Sequence, residues 1–209
     1  MGADIHGFIE CRSRWAGPDD AWSAAVDLEL LYEGRNYDAF GCLFGVCNYA
    51  GFAPLAADRG LPELISDAAR ADYEDWDSGA HSSSWIAWSE LKRVDWDESA
   101  ETTDRRIHEY EAVDGTWVLV SKASWSARFA KAAGLPADPA TRMGDGYGRM
   151  DWPEGTEWRD GDRLYRLERM TRREAVPPEG EWKPVWSVME ALAAVHGDEN
   201  VRLTVWFDN

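Results

Sequence analysis

A chain of 209 residues, 44% of them hydrophobic, is long enough to bury a sizeable core and too apolar to stay disordered. Its 39 acidic and 22 basic side chains leave a net charge of −17, which argues against direct binding to nucleic acid or to an anionic membrane, since both need a positive surface. A solubilising surface, mimicry of nucleic acid and a partner with a basic face all fit that charge.

Cys11, Cys42 and Cys47 are odd in number and lack zinc-knuckle spacing, so they read as reduced core residues of a cytoplasmic protein. No basic stretch leads into an apolar run, and no window nears the roughly 18 apolar residues of a membrane span. Thirteen Trp residues suggest either an indole-rich core and rim or a ligand surface built from indole faces.

Over 3–12, Ile5, Ile9 and Cys11 fall on one side, with Gly7 between them, and Asp4, His6, Phe8, Glu10 and Arg12 on the other. That period of two predicts a strand. Gly17-Pro18-Asp19-Asp20 signals a turn, and 26–32 reads as a short strand or an extended connection. Asn36 is placed to cap a helix over about 36–47, with Asp38 in its first turn and Tyr37, Phe40, Phe44 and Cys47 at helical spacing. Pro62 suits the start of another helix, with Leu61, Ile65 and Ala69 on its apolar face. Beyond the acidic residues of 72–77, one of Ser82, Ser83 and Ser84 is expected to cap a helix running to about Leu91.

The acidic run 95–104 is the best place for a soft boundary. Two strands in 105–121 flank Asp114-Gly115, a hairpin signal, and a helix over 122–133 stops at Gly134. Little periodicity marks 135–157, and Gly144-Asp145-Gly146-Tyr147-Gly148 reads as a surface loop because no strand and helix frame it. Asp160-Gly161-Asp162 is a turn before a strand at 163–168. Pro184 opens a helix that Gly197 stops, and 201–207 alternate as a final strand.

These elements predict an α+β (mixed α/β) fold: a single sheet containing the N- and C-terminal strands, with helices packed on it. The expected organisation is one domain over 1–209, with a soft boundary or insertion near 95–104. Antiparallel pairing of the terminal strands would set Asp4 and His6 close to Asp208.

Candidate chemistry follows from residue type. Asp4 and His6, two apart on a strand, share a face and could act as base and orienting partner. As metal ligands they are too few, Glu10 lying too far along the strand, so a divalent metal is not supported by ligand count and no cofactor is assigned. Arg35, Asn36, Tyr37 and Asp38 could meet an anionic group at a helix start, with Arg59 as a second anion contact. His81 and Ser82 add an imidazole and a hydroxyl in a loop. The catalytic candidates are therefore Asp4, His6, Asp38 and His81, and the ligand-binding candidates Arg35, Asn36, Tyr37, Arg59, Ser82 and Asp208. Plainer roles stand beside these: an Arg–Asp surface pair with a cap at 35–38, a solvated Arg59, and cap chemistry at 81–84. His108 is expected to face solvent, and His196 sits in the last turn of a helix.

Asp4-Ile5-His6, Gly34-Arg35-Asn36-Tyr37-Asp38, Arg59-Gly60-Leu61-Pro62, His81-Ser82-x-Ser84-Trp85 and Trp206-Phe207-Asp208-Asn209 together resemble a largely uncharacterised family encoded in tailed-phage genomes and actinobacterial chromosomes. The resemblance covers both ends and least of all about 95–180. That family often carries a second His two places after the first, where this chain has Ser83, which weighs against a paired-histidine metal or phosphodiester site. The resemblance implies a cytosolic accessory protein and supplies no substrate.

Two expectations result. One is a polar pocket for a small phosphorylated or nucleotide-like ligand, which the protein hydrolyses or sequesters. The other is an acidic inhibitor that occupies the basic, nucleic-acid-binding surface of a host defence protein. The first requires the candidate residues to converge on one cavity; the second requires a broad acidic face. Oligomeric state and the choice between enzyme and binder are open at this point.

Overall fold

The computed structural model describes residues 2–136 and 152–209; Gly144 to Gly148 lie outside them. The chain divides into two compact units. The first comprises Met1–Asn48, Phe52–Glu98 and Thr171–Asn209, and the second Tyr49–Gly51 and Ser99–Met170. The change at Glu98/Ser99 falls within the acidic run. The α+β class holds, but the chain builds two four-stranded antiparallel sheets rather than one.

In the first unit the sheet order is β2-β1-β8-β3, from Ser23–Asp27, Asp4–Cys11, Val201–Asp208 and His81–Ala87. The terminal strands pair antiparallel, Asp4 opposite Asp208 and His6 opposite Trp206. Gly7 is required at their crossing. Its φ is +148°, and a Cβ there would lie 2.0 Å from the Thr204 carbonyl oxygen. β8 is buried from Val201 to Phe207 because helices cover both of its faces. On one face, helix α2 (Asp67–Asp75) sets Tyr73 on Trp206, and the residue after it, Trp76, on His6, with ring centroids 5.5 and 4.2 Å apart. On the other, helix α1 (Tyr37–Phe44) sets Phe40 and Phe44 against Phe207 at 5.3 and 6.0 Å.

Local chemistry explains where these elements begin and end. Asn36 caps α1 by accepting from the Ala39 N–H, and the helix ends at Gly45, φ +79°. Cys47 therefore lies beyond the helix rather than on it. The second helix starts not at Pro62 but after Ser66, whose hydroxyl accepts from the Ala69 N–H. The acidic run 72–77 falls largely in that helix and the turn after it. Residues 82–84 form no cap: they belong to β3, where Ser84 and Ile86 turn inward, and only Trp88–Leu91 is helical, as α3. Short α5 (Arg172–Ala175), closed by a Thr171/Glu174 capping box, precedes long α6 (Lys183–His196), which Gly197 ends. Trp182 stacks with Trp186 and meets Tyr32 at 5.2 and 4.6 Å.

The second unit holds the sheet β5-β4-β7-β6. The expected hairpin is present as β4 (Ile107–Val113) and β5 (Thr116–Ala123) around Asp114-Gly115. β5 extends into the stretch expected to be helix, leaving α4 only Ala127–Ala132, capped by Ser126. β7 (Arg163–Arg166) is joined by β6 (Glu157–Asp160), a strand that the stretch 135–157 does not announce. Phe129 of α4 packs edge-on to Trp125, Trp152 and Trp158 and meets Tyr165, which makes a Trp-rich core. Among the described residues no helix is long and apolar enough to cross a membrane.

Candidate functional site

The paired ends of β1 and β8 bring several candidates together. Arg35 grips Asp4 with two contacts of 2.5 Å, Nε to one carboxylate oxygen and Nη to the other. That hydrogen bond holds the Asp4 carboxyl below its usual range, and Tyr37 and Asp208 also lie within electrostatic reach of Arg35. His6, its ring tilted 36° to that of Trp76, places Nδ1 3.0 Å from Glu29 and Nε2 3.3 Å from Asp208. Carboxylates only accept, so both contacts form together only when the ring is doubly protonated, and no lone pair is then left for a base. Asp72 joins the group. Burial first, then Asp27, Glu29 and Asp75, raise its pKa. The surroundings of His6 are thus mainly acidic.

Other candidates have structural duties. The Asn36 side chain caps α1 and also donates to the Ala175 carbonyl at 3.3 Å. Asp38 sits half-buried in the first turn of α1. Arg59 forks onto Glu90 at 2.9 and 2.8 Å, donates to the Leu55 carbonyl and lies over Trp85. Burial works against the Glu90 charge, but this fork outweighs it and the carboxyl stays below its usual range.

His81 and Ser82 are elsewhere. His81 pairs across the sheet with Phe207, while His6 pairs with Trp206, so the two imidazoles stand on opposite faces. The expected single pocket is therefore divided by the sheet. His81 stacks on Phe207 and contacts the Ser82 hydroxyl at 3.0 Å through Nδ1; its Nε2 is buried with no hydrogen-bond partner among the described residues. Both residues line a hollow of about 520 Å³, together with Phe44, Val46, Cys47, Asn48, Pro54, Asp58 and Asn209. Cys47, Asp58 and Ser82 have φ of 51°, 48° and 49°, so three left-handed residues bend the chain around this one space. Among the described residues no lysine or arginine lines it. Among the described residues no group of three or more His, Cys, Asp or Glu side chains could hold a metal ion.

Two buried networks escaped the sequence reading. Glu10 is fully buried and accepts from Arg202 Nε at 2.8 Å, Thr204 Oγ1 at 2.8 Å and the Ser66 N–H at 2.7 Å. Burial lowers the Arg202 pKa, with Glu10 working against that shift. In the second unit His108 is buried rather than solvent-facing: Nε2 lies 3.0 Å from Asp104 and Nδ1 3.0 Å from Glu168. Arg106 also holds Asp104, and Tyr110 donates to Glu168. Burial opposes ionisation of both carboxyls, yet these bonds prevail; Asp104 falls far below its usual range and Glu168 drops to about 2. Both nitrogens of His108 are committed to carboxylates, so this trio is a charge clamp rather than an acid–base pair. A His four residues after an Asp, on a strand entry, was the available signal, and it does not reveal the distant Glu168.

Comparison with protein-family models, with curated proteins and with solved structures finds no match to this chain.

Proposed function

We propose that the protein binds a small polar ligand of about nucleoside size in the hollow beside His81 and holds it without hydrolysing it. The hollow carries this reading. Its volume of about 520 Å³ lies in the range of small-molecule sites, and its lining combines apolar side chains with amide, carboxylate, hydroxyl and imidazole groups. A flat heterocycle could rest on Phe44 and Pro54 and exchange hydrogen bonds with Ser82, Asp58 and His81. A phosphate is a poor fit, because among the described residues no lysine or arginine lines the wall, and Arg35 and Arg59 are both tied to carboxylates. Hydrolysis is also poorly served. His81 touches Ser82, but among the described residues its other nitrogen meets no carboxylate to orient it.

Titration calorimetry against nucleosides and the matching nucleotides tests this. Nucleosides should bind, their phosphates no more tightly, and Asp58→Ala and His81→Ala should each weaken binding about tenfold or more. Absence of binding by every nucleoside to the folded protein would overturn the reading.

A second reading keeps the acidic inhibitor of a basic, nucleic-acid-binding surface, in line with the likeness to phage-encoded proteins. The observation favouring it is the gathering of Asp27, Glu29, Asp72, Asp75 and Asp208 around His6, in a chain of net charge −17. Such a complex would weaken steeply with salt and tolerate His81→Ala.

A further inference from the structure

We infer that the hollow beside His81 selects guanine among the nucleobases, because the Asp58 carboxylate in its lining accepts hydrogen bonds and cannot donate them. The inference rests on the reading of the hollow as a nucleoside site and names the base. The other polar side chains of the lining discriminate little. A serine hydroxyl donates or accepts as it turns, a neutral imidazole does either by tautomer, and an asparagine amide carries both roles, so Ser82, His81 and Asn209 suit any base. Asn48 is already committed: its amide nitrogen donates to the Phe52 carbonyl at 2.8 Å, and its amide oxygen accepts from the Phe52 N–H at 3.0 Å. Asp58 has no such latitude. Among the described residues it is the only acidic side chain of the lining, and its carboxylate has no hydrogen-bond or ion-pair partner. Its neighbour Arg59 does not neutralise it, because that guanidinium is forked onto Glu90.

The backbone fixes Asp58 beside the start of β3. The Gly60 N–H donates to the Ser83 carbonyl at 3.0 Å, the Arg59 N–H to the Ser84 hydroxyl at 3.4 Å, and that hydroxyl donates to the Ala56 carbonyl at 2.5 Å. Asp58 itself has φ of 48°, a left-handed conformation of the kind that gathers at ligand clamps. A carboxylate presents two acceptors side by side. Guanine answers with two adjacent donors, ring N1–H and the 2-amino group, and can bind it through both. Adenine and cytosine place an acceptor ring nitrogen beside their amino group, and uracil flanks its N–H with two carbonyls. Each of these sets a lone pair against the carboxylate, so Asp58 rejects them as well as welcoming guanine.

Titration calorimetry with guanosine, inosine and adenosine tests the inference on the parent chain. Inosine keeps N1–H but lacks the 2-amino group. Guanosine should bind about tenfold or more tighter than inosine, and adenosine should bind more weakly still. Asp58→Asn replaces one acceptor by a donor, which suits the amino group and ring nitrogen of adenine. It should weaken guanosine about tenfold or more and bring adenosine level with it or ahead. Asp58 is exposed and Asn tolerates a left-handed backbone, so the circular dichroism melt should stay near that of the parent. Guanosine binding no tighter than adenosine, or a guanosine preference that Asp58→Asn leaves unchanged, would overturn the choice of guanine and leave the nucleoside reading standing. Binding of no nucleoside would overturn both. Biopterin carries the same donor edge without a ribose, and its binding where no nucleoside binds would likewise overturn both, assigning that edge to a pterin.

Discussion

Replacing His108 by Leu removes the cation that Asp104 and Glu168 share. Both carboxylates keep other partners. Arg106 Nε and Nη stay 3.0 and 2.7 Å from Asp104, and Tyr110 and Arg166 stay on Glu168. Breaking a buried ion pair with nothing left to compensate costs about 3–5 kcal/mol, and with these arginines in place the lower end, about 3 kcal/mol, is expected. The pH dependence is more diagnostic. Burial disfavours the charged His108 ring, but bonds to Asp104 and Glu168 prevail and raise its pKa above the ordinary 6.5. Its contribution is thus complete below 6.5 and is lost as pH rises through the higher folded value. The carboxyls work in the other direction. Their pKa values are depressed from 3.8 and 4.5, so their contribution is present above those values and fades as pH falls. The clamp is strongest between 4.5 and 6.5. Hydrogen exchange of β4 and β7 amides, followed inside that window and well above it, measures both effects. The parent should lose protection on the alkaline side, after correction for intrinsic exchange, and His108→Leu should be less protected within the window and lose little more above it. A variant within about 1 kcal/mol of the parent, or one keeping the full alkaline loss, would refute the reasoning.

Two further outcomes concern the first sheet. Gly7→Ala should lower stability by more than about 3 kcal/mol, because the methyl would meet the Thr204 carbonyl of a central strand that has no room to move; a variant that melts with the parent would refute this. Arg202→Met should cost about 3–5 kcal/mol by stranding the Glu10 charge. Adding Glu10→Leu should recover part of that loss, leaving the Ser66 N–H without its acceptor at about 1–3 kcal/mol. Urea midpoints decide the order, and a double variant worse than the single one would count against it.

Periodicity made the sheet of the first unit legible at both ends. Alternation over 3–12 and 201–207 located β1 and β8, and an antiparallel pairing rightly put Asp208 beside Asp4. Asn36 and Asp114-Gly115 were equally plain, since each is a local signal with a local cause. What failed depended on partners far along the chain. Ser82 to Ser84 have cap chemistry, but pairing with β8 draws them into a strand. Glu10 was read only as a carboxylate too far along the strand to join Asp4 and His6, and its buried pairing with Arg202, 192 positions away, left no local signal. The hollow could not be assembled from sequence because its walls come from the loops after α1, the start of β3 and the end of β8. The two histidines were grouped by chemical type, while a difference of one residue in register set them on opposite faces.

The position of β8 between β1 and β3 has a consequence for synthesis. His6 meets Asp208 across 202 positions, so at about 5–20 residues per second β1 must wait roughly 10–40 s for the strand that covers it. Ser99–Met170, nearly all of the second unit, is made within that interval. A nascent chain would thus hold β1 and β2 as an open ribbon while Ser99–Met170 is already made, and the first sheet would close only when β8 inserts between strands already made. The interval before that insertion is when the nascent chain is most exposed to proteases and chaperones.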